Sequence, residues 1–136
     1  MTKNIESMTE MEKLQSGLPY SMRDKEVNGQ KLAAIAGYKR LNSVDASDKE
    51  ALDEAIRNLF GKVGKEPLVT PIFNCDSGAN VGVGDNFLAN YNVTILDMAK
   101  VTMGNDVLIG PNTMISTLNH PITPKGRHDH LGIAHP

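Results

Sequence analysis

The chain has 136 residues, 40% of them hydrophobic and 22% charged, which is ordinary for one globular domain with a modest core. A formal net charge of −2 argues against a nucleic-acid partner, which requires a strongly basic surface. No stretch is apolar enough for a signal peptide or a membrane span, and a single cysteine cannot form an intrachain disulfide, so we expect a cytoplasmic protein without membrane contact.

About three α-helices are expected in a helical segment over residues 1–65. The first covers about residues 8–15 and the second about residues 22–41. In the third, Ser47 and Glu50 have the spacing of a capping box. Gly61 stands where a left-handed C-terminal cap is expected. Between them runs an apolar stripe with helical spacing: Leu52, Ala55, Ile56, Leu59 and Phe60.

An aliphatic side chain returns every six residues beyond residue 71. The two runs are Val83, Ala89 and Ile95, then Met103, Ile109 and Ile115. A two-residue offset near residues 97–100 predicts a small bulge between them. The residues between tolerate the left-handed backbone of tight corners: Asp85, Asn86, Asn92, Asn105, Asp106 and Asn112. The pattern favours a parallel β-helix of roughly two coils over residues 66–136, although two β-hairpins with Asn-rich turns share the spacing.

The six-residue period is lost over residues 117–136. This segment holds all four histidines and three of the seven prolines. We therefore expect a long loop here, and long loops in compact domains are usually functional or disordered.

Several motifs resemble those of the maltose and galactoside O-acetyltransferases and the nodulation-protein-L type enzymes. They are CDSGAN at 75–80, GDNFLANYN at 84–92, ILD at 95–97, MGNDVLIGPN at 103–112 and TLNHP at 117–121. The resemblance covers essentially the whole chain. It implies a mostly β fold with a helical N-terminus, a left-handed hexapeptide β-helix that is incomplete here. Further coils, with most acetyl-CoA contacts, are expected beyond residue 136.

The resemblance also implies an activity and a site. The activity is an acetyl-CoA-dependent transfer of an acetyl group to a sugar hydroxyl, with His120 as the general base. Asn90 is placed in the sugar and thioester pocket, Asp76 at the acceptor, and Asp97 beside an acceptor-contacting position occupied here by Met98. Relatives of this type are homotrimers whose sites lie between subunits, and they need no metal.

Two departures from the family pattern concern the acceptor sugar. Met22 stands where the family has an acceptor-binding carboxylate, although Asp24 is close by in sequence. Lys31 replaces a family arginine, and a lysine cannot form the bidentate fork of a guanidinium group. Neither change affects the acetyl-transfer step.

Other interpretations stay open at this point. Asn90, Asp76 and Asp97 are also typical of turns and corners, and Cys75 of a small core residue. One alternative function is a non-catalytic trimerising module that cannot bind CoA. A more remote one is a zinc-dependent β-helical hydratase, for which the candidate ligands are His128, His130 and His135.

Overall fold

The computed structural model describes residues 3–136, and its first part is helical. A 3₁₀ turn, Ile5–Ser7, precedes helix α1, Glu10–Gln15, which Thr9 and Glu12 open with a capping box. A short strand β1, Tyr20–Ser21, leads to helix α2, Lys25–Ser43. None of the helices within residues 3–136 combines the length and apolarity that crossing a membrane would require.

Helix α3, Lys49–Leu59, confirms the third predicted helix, but both predicted caps are wrong. Ser47 is held in a turn by Asp45, so the helix starts one residue later and Asp48 caps it by accepting the N–H of Ala51. At the other end the chain leaves in an extended conformation, and Gly61 has no positive φ. Gly61 is needed for space instead, because a Cβ there would lie 2.1 Å from the carbonyl oxygen of Ala79.

The rest of the chain winds into a parallel β-helix whose three sheets each contain three strands. The first coil comprises β2 (Lys62–Val63), β3 (Leu68–Val69) and β4 (Phe73–Cys75), and the second β5 (Val81–Val83), β6 (Leu88–Ala89) and β7 (Val93–Leu96). The third comprises β8 (Val101–Thr102), β9 (Leu108–Ile109) and β10 (Met114–Ser116). Corresponding strands stack in parallel, in the orders β2-β5-β8, β3-β6-β9 and β4-β7-β10.

The register shows three coils where two were expected. Leu68 lies opposite Leu88, and Leu88 opposite Leu108, so each coil takes 20 residues. The two-residue bulge therefore recurs in every coil. The first coil begins at Lys62, and the expected division between residues 65 and 66 falls inside it.

Four of the six predicted corner residues adopt the left-handed backbone, whereas Asp85 and Asn105 do not. Asn86, Asn92, Asp106 and Asn112 all have φ values between 57° and 59°. Their side chains also join successive coils, since Asn86 donates to Asp106 at 3.0 Å and Asn92 donates to Asn112 at 3.2 Å. These side chains thus make tight turns and also form hydrogen-bonded ladders along two edges of the triangular prism that the three sheets enclose.

Helices α2 and α3 cover the first coil. The Asn42 side chain of α2 donates to the carbonyl of Phe73 at 2.9 Å and accepts its N–H at 2.8 Å. This satisfies backbone groups at an otherwise open strand edge. Phe60 packs edge-on against Phe73 and Phe87, with centroids 5.4 and 6.3 Å away. The helices and the β-helix share one hydrophobic core.

Residues 117–136 are not the long loop that the sequence predicts. Strand β11 (Leu118–Asn119) is followed by a short helix α4 (Pro124–His128) and strand β12 (Leu131–Ala134). Strand β12 pairs antiparallel with both β11 and β1. The hexapeptide period stops because the chain leaves the β-helix after β10. It then forms β11 and β12, which pair antiparallel with each other, and β12 also pairs with β1.

Candidate active site

His120 immediately follows β11, and its ring is oriented by a backbone contact. The Nδ1 atom lies 3.0 Å from the carbonyl oxygen of Leu131 in β12. A carbonyl only accepts hydrogen bonds, so Nδ1 carries a proton, and the neutral form of the ring has its lone pair on Nε2. The side chain is exposed. This is the tautomer in which Nε2 can accept a proton from an approaching hydroxyl.

Helix α4 supports the backbone beside His120. The Arg127 Nε donates to the carbonyl of Pro121 at 3.1 Å. Gly126 packs so closely that a Cβ there would lie 2.7 Å from the Cβ of Pro121. The His120–Pro121 turn is therefore held from both sides, by β12 and by α4.

Asp76 lies at the end of β4 and faces helix α2. Its Oδ1 is 3.3 Å from the Nζ of Lys31, and the Asp76 side chain is only 13% exposed. The other oxygen, Oδ2, is buried and has no hydrogen-bond partner among the described residues. Lys31, at the position of the family arginine, thus pairs with a predicted acceptor-site residue. Asp24 instead caps α2 by accepting the N–H groups of Glu26 and Val27.

Asp97 lies directly after β7 and is fully buried. Its Oδ1 accepts the backbone N–H groups of Asp76 at 3.1 Å and Ser77 at 2.9 Å. The Asn80 side chain donates back to the carbonyls of Asp97 and Met98 at 2.8 and 3.1 Å. The turn between β4 and β5 is therefore fastened at both ends to the residues that follow β7.

Burial dominates the electrostatics around these carboxylates. It raises the pKa of Asp97, against the opposing effect of the Ser77 and Asp76 N–H groups. Burial, together with the nearby charge of Asp76, also raises the pKa of Tyr20 to about 12. Burial, followed by the nearby charges of Asp97 and Asp76, raises the pKa of the Cys75 thiol. Cys75 is thus a protonated core residue, which argues against a nucleophilic role.

Asn90 lies at a different corner of the prism. It follows β6, and its backbone N–H donates to the carbonyl of Ile109 at 3.0 Å. Its Oδ1 accepts the N–H of Tyr91 at 2.7 Å, while its Nδ2 donates no hydrogen bond within residues 3–136. The amide N–H₂ group is therefore available to an external acceptor.

The chain brings together some of the predicted site residues and separates others. Asp76 and Asp97 share one turn, but no hydrogen bond or ion pair in the described part of the chain joins His120 or Asn90 to them or to each other. No group of three or more His, Cys, Asp or Glu residues suited to a metal ion occurs in residues 3–136.

Sequence reasoning missed one residue that links the site. The Thr117 hydroxyl donates to the carbonyl of Leu96 at 2.7 Å and accepts the N–H of Ala99 at 3.1 Å. Thr117 thereby anchors the start of the strand that leads to His120. The TLNHP motif contained this threonine, but its partners lie 18 and 21 residues away.

Comparison with known proteins places this geometry in a family. No protein-family profile matches the chain. Nodulation protein L of Rhizobium meliloti is 38% identical over 128 residues, which cover 94% of this chain and 70% of that protein. The chain belongs to the hexapeptide-repeat acetyltransferases of the maltose and galactoside type.

Solved structures agree with this assignment. A maltose O-acetyltransferase from Clostridium difficile 630 superposes with a TM-score of 0.90 at 34% identity, over 96% of this chain and 70% of that one. A galactoside acetyltransferase in complex with coenzyme A gives the same TM-score at 28% identity, over 96% of this chain and 65% of that one. The predicted fold, a left-handed parallel β-helix behind N-terminal helices, is confirmed, as is the acyltransferase class.

Proposed function

We propose that this acetyltransferase transfers the acetyl group of acetyl-CoA to a hydroxyl of a maltosyl, glucosyl or galactosyl sugar, with His120 as general base. The observation that carries the proposal is the contact of His120 Nδ1 with the Leu131 carbonyl, which leaves Nε2 free to accept a proton. The coenzyme A bound by a structural neighbour supports the choice of donor.

The reaction follows from these groups. As the sugar oxygen attacks the thioester carbon, Nε2 of His120 takes the hydroxyl proton. The carbonyl oxygen becomes an oxyanion, to which the free Nδ2 of Asn90 would donate. The carbon–sulfur bond then breaks, and the imidazolium returns its proton to the departing thiolate. No covalent enzyme intermediate and no metal is required.

We propose further that the site forms between subunits of a homotrimer. No hydrogen bond within residues 3–136 joins His120 to Asn90, and the proposed site takes one of these residues from each of two neighbouring chains. A ladder of outward leucines, Leu68, Leu88 and Leu108, runs beside the Asn90 corner. Leu108 is 66% exposed, so this apolar face suits burial against a second copy.

Acetyl-CoA contacts are proposed to lie on coils beyond residue 136. The third coil, β8 to β10, has no further strand stacked on it in the described part of the chain. Its unpaired backbone groups suit the addition of another coil. The proposed compartment is the cytoplasm, since the single cysteine is a buried free thiol.

Thiol release from acetyl-CoA, measured across a panel of maltose, glucose and galactosides, tests the activity. We expect the substitution H120A to lower turnover by about 10²–10⁴-fold, because the general base is lost. H128A is the matched control, since His128 is also exposed and lies on α4.

Wild-type turnover in H120A would contradict the role of His120. A protein that releases no thiol with any sugar, and shows no calorimetric binding of CoA, would instead be the non-catalytic trimerising module.

A further inference from the structure

Asp97 is the only carboxylate within residues 3–136 that is fully buried. A buried carboxylate is costly unless its oxygens receive hydrogen bonds. Here the N–H groups of Asp76 and Ser77 both point at Oδ1. The other oxygen, Oδ2, is also buried and has no hydrogen-bond partner among the described residues. The side-chain hydrogen bonds of Asp97 are therefore all to backbone, while the side chain that extends from this turn toward α2 is that of Asp76.

The turn over residues 76–80 depends on this contact. At its far end the Asn80 side chain binds the carbonyls of Asp97 and Met98. Between these two contacts, Gly78 has a φ of +74°, and a Cβ there would lie 2.6 Å from the Cδ1 of Leu59, so this point of the turn requires glycine. The direction of the Asp76 carboxylate toward Lys31 is thus set by the residues after β7.

The same segment also holds the strand that leads to His120. The Leu96 carbonyl accepts both the N–H and the hydroxyl of Thr117, at 3.0 and 2.7 Å. The Thr117 carbonyl in turn accepts the N–H of His135, next to β12. Residues 96–99 are therefore a common support for the Asp76 turn and for strand β11.

We propose that Asp97 is a positioning residue of the acetyl-transfer site, which orients Asp76 toward the acceptor through the backbone amides and makes no contact with the sugar itself. This rests on the proposed function, because Asp76 must contact the acceptor for its orientation to affect catalysis. It assigns Asp97 a role through the backbone, whereas the resemblance places Asp97 only beside the acceptor-contacting position that Met98 occupies.

Three variants, D97A, D97N and D85A, test the proposal by steady-state kinetics. D97A removes the acceptor of both N–H groups, so we expect the KM for the sugar to rise by about 10–100-fold while the KM for acetyl-CoA stays unchanged. D97N keeps an oxygen that can accept both bonds and should restore most of the affinity. D85A is the matched control, since Asp85 also accepts a backbone N–H from the preceding coil, that of Lys65 at 2.7 Å.

Amide hydrogen exchange gives a readout that needs no activity. The N–H groups of Asp76 and Ser77 should be protected in wild type and in D97N, and should exchange faster in D97A. This exchange pattern could be observed even if neither wild type nor any variant turns over a sugar. In that case Asp97 still positions the turn, and only the proposed function is contradicted.

Several outcomes would overturn the proposal. Unchanged exchange at Asp76 and Ser77 in D97A would do so, as would an unchanged sugar KM in a folded and active D97A. Equal defects in D97N and D97A would show that the charge itself contacts the sugar. If D97A does not fold, N80A decides, because it releases the other end of the same turn and should also raise the sugar KM.

Discussion

Tyr20 is fully buried, yet its hydroxyl has no hydrogen-bond partner among the described residues. Its ring covers Gly132 in the paired strand β12, where a Cβ would lie 2.8 Å from the Tyr20 oxygen. Gly132 adjoins Leu131, whose carbonyl orients His120. The ring thus supports the strand behind the proposed base, while the buried hydroxyl costs stability.

The substitution Y20F should therefore preserve packing and raise the free energy of unfolding by about 1 kcal/mol at pH 7. Because burial raises the Tyr20 pKa to about 12, the folded state holds its proton more tightly than the unfolded state. Wild type should then lose stability as the pH rises from about 10 toward 12, and Y20F should lose less. Urea unfolding at pH 7 and pH 11 measures both effects.

A Y20F protein that is less stable than wild type at pH 7 would show that the hydroxyl does have a partner. An equal loss of stability in both proteins at pH 11 would contradict the pH argument.

Among the elements, helix α3 starts one residue later than the sequence predicts, and this changes which side chain caps it. The sequence predicted Ser47 as the cap, but in the structure Asp48 caps the helix because Asp45 already holds the Ser47 N–H and hydroxyl. The buried face of α3 packs on α2 and the first coil through Leu52, Ala55, Ile56 and Leu59. The cap therefore fixes where the apolar face begins.

We expect D48A to lower the free energy of unfolding by about 1 kcal/mol, since the N–H of Ala51 loses its acceptor. S47A, the adjacent control, should change it by less than about 0.5 kcal/mol. Thermal or urea unfolding of the two variants distinguishes the caps, and a larger loss in S47A would restore the capping box expected from sequence.

At the scale of the whole molecule, the proposal that each site lies between two subunits can be tested. If each site takes His120 from one chain and Asn90 from its neighbour, H120A and N90A chains are each inactive alone. A mixed trimer, however, contains one intact site. Refolding the two variants together at equal amounts should recover about a quarter of wild-type thiol release.

No recovery on mixing would place both groups in one chain or exclude the trimer. Sedimentation of the mixture establishes whether trimers form. Adding L108E to both variants should abolish recovery, since the charge would disrupt the exposed leucine ladder.

The sequence predicted the parts of the β-helix whose repeats were complete. Val83, Ala89 and Ile95 point inward as expected, and Asn86 and Asn92 take left-handed corners. The first coil was missed, although Val63, Val69 and Cys75 keep the same six-residue spacing. Lys62, Glu66 and Pro67 interrupt its appearance as a repeat. Only their parallel pairing with the strands of the second coil identifies the strands of the first coil.

The sequence alone determined the repeat, the corners, the three helices and the family motif around His120, because each depends on residues close together in the chain. Only the tertiary structure decided which nitrogen of His120 is free, that Asp97 faces backbone amides, and that residues 117–136 pair with β1. Those features join residues 11, 20 and 112 positions apart, and no local periodicity records such contacts.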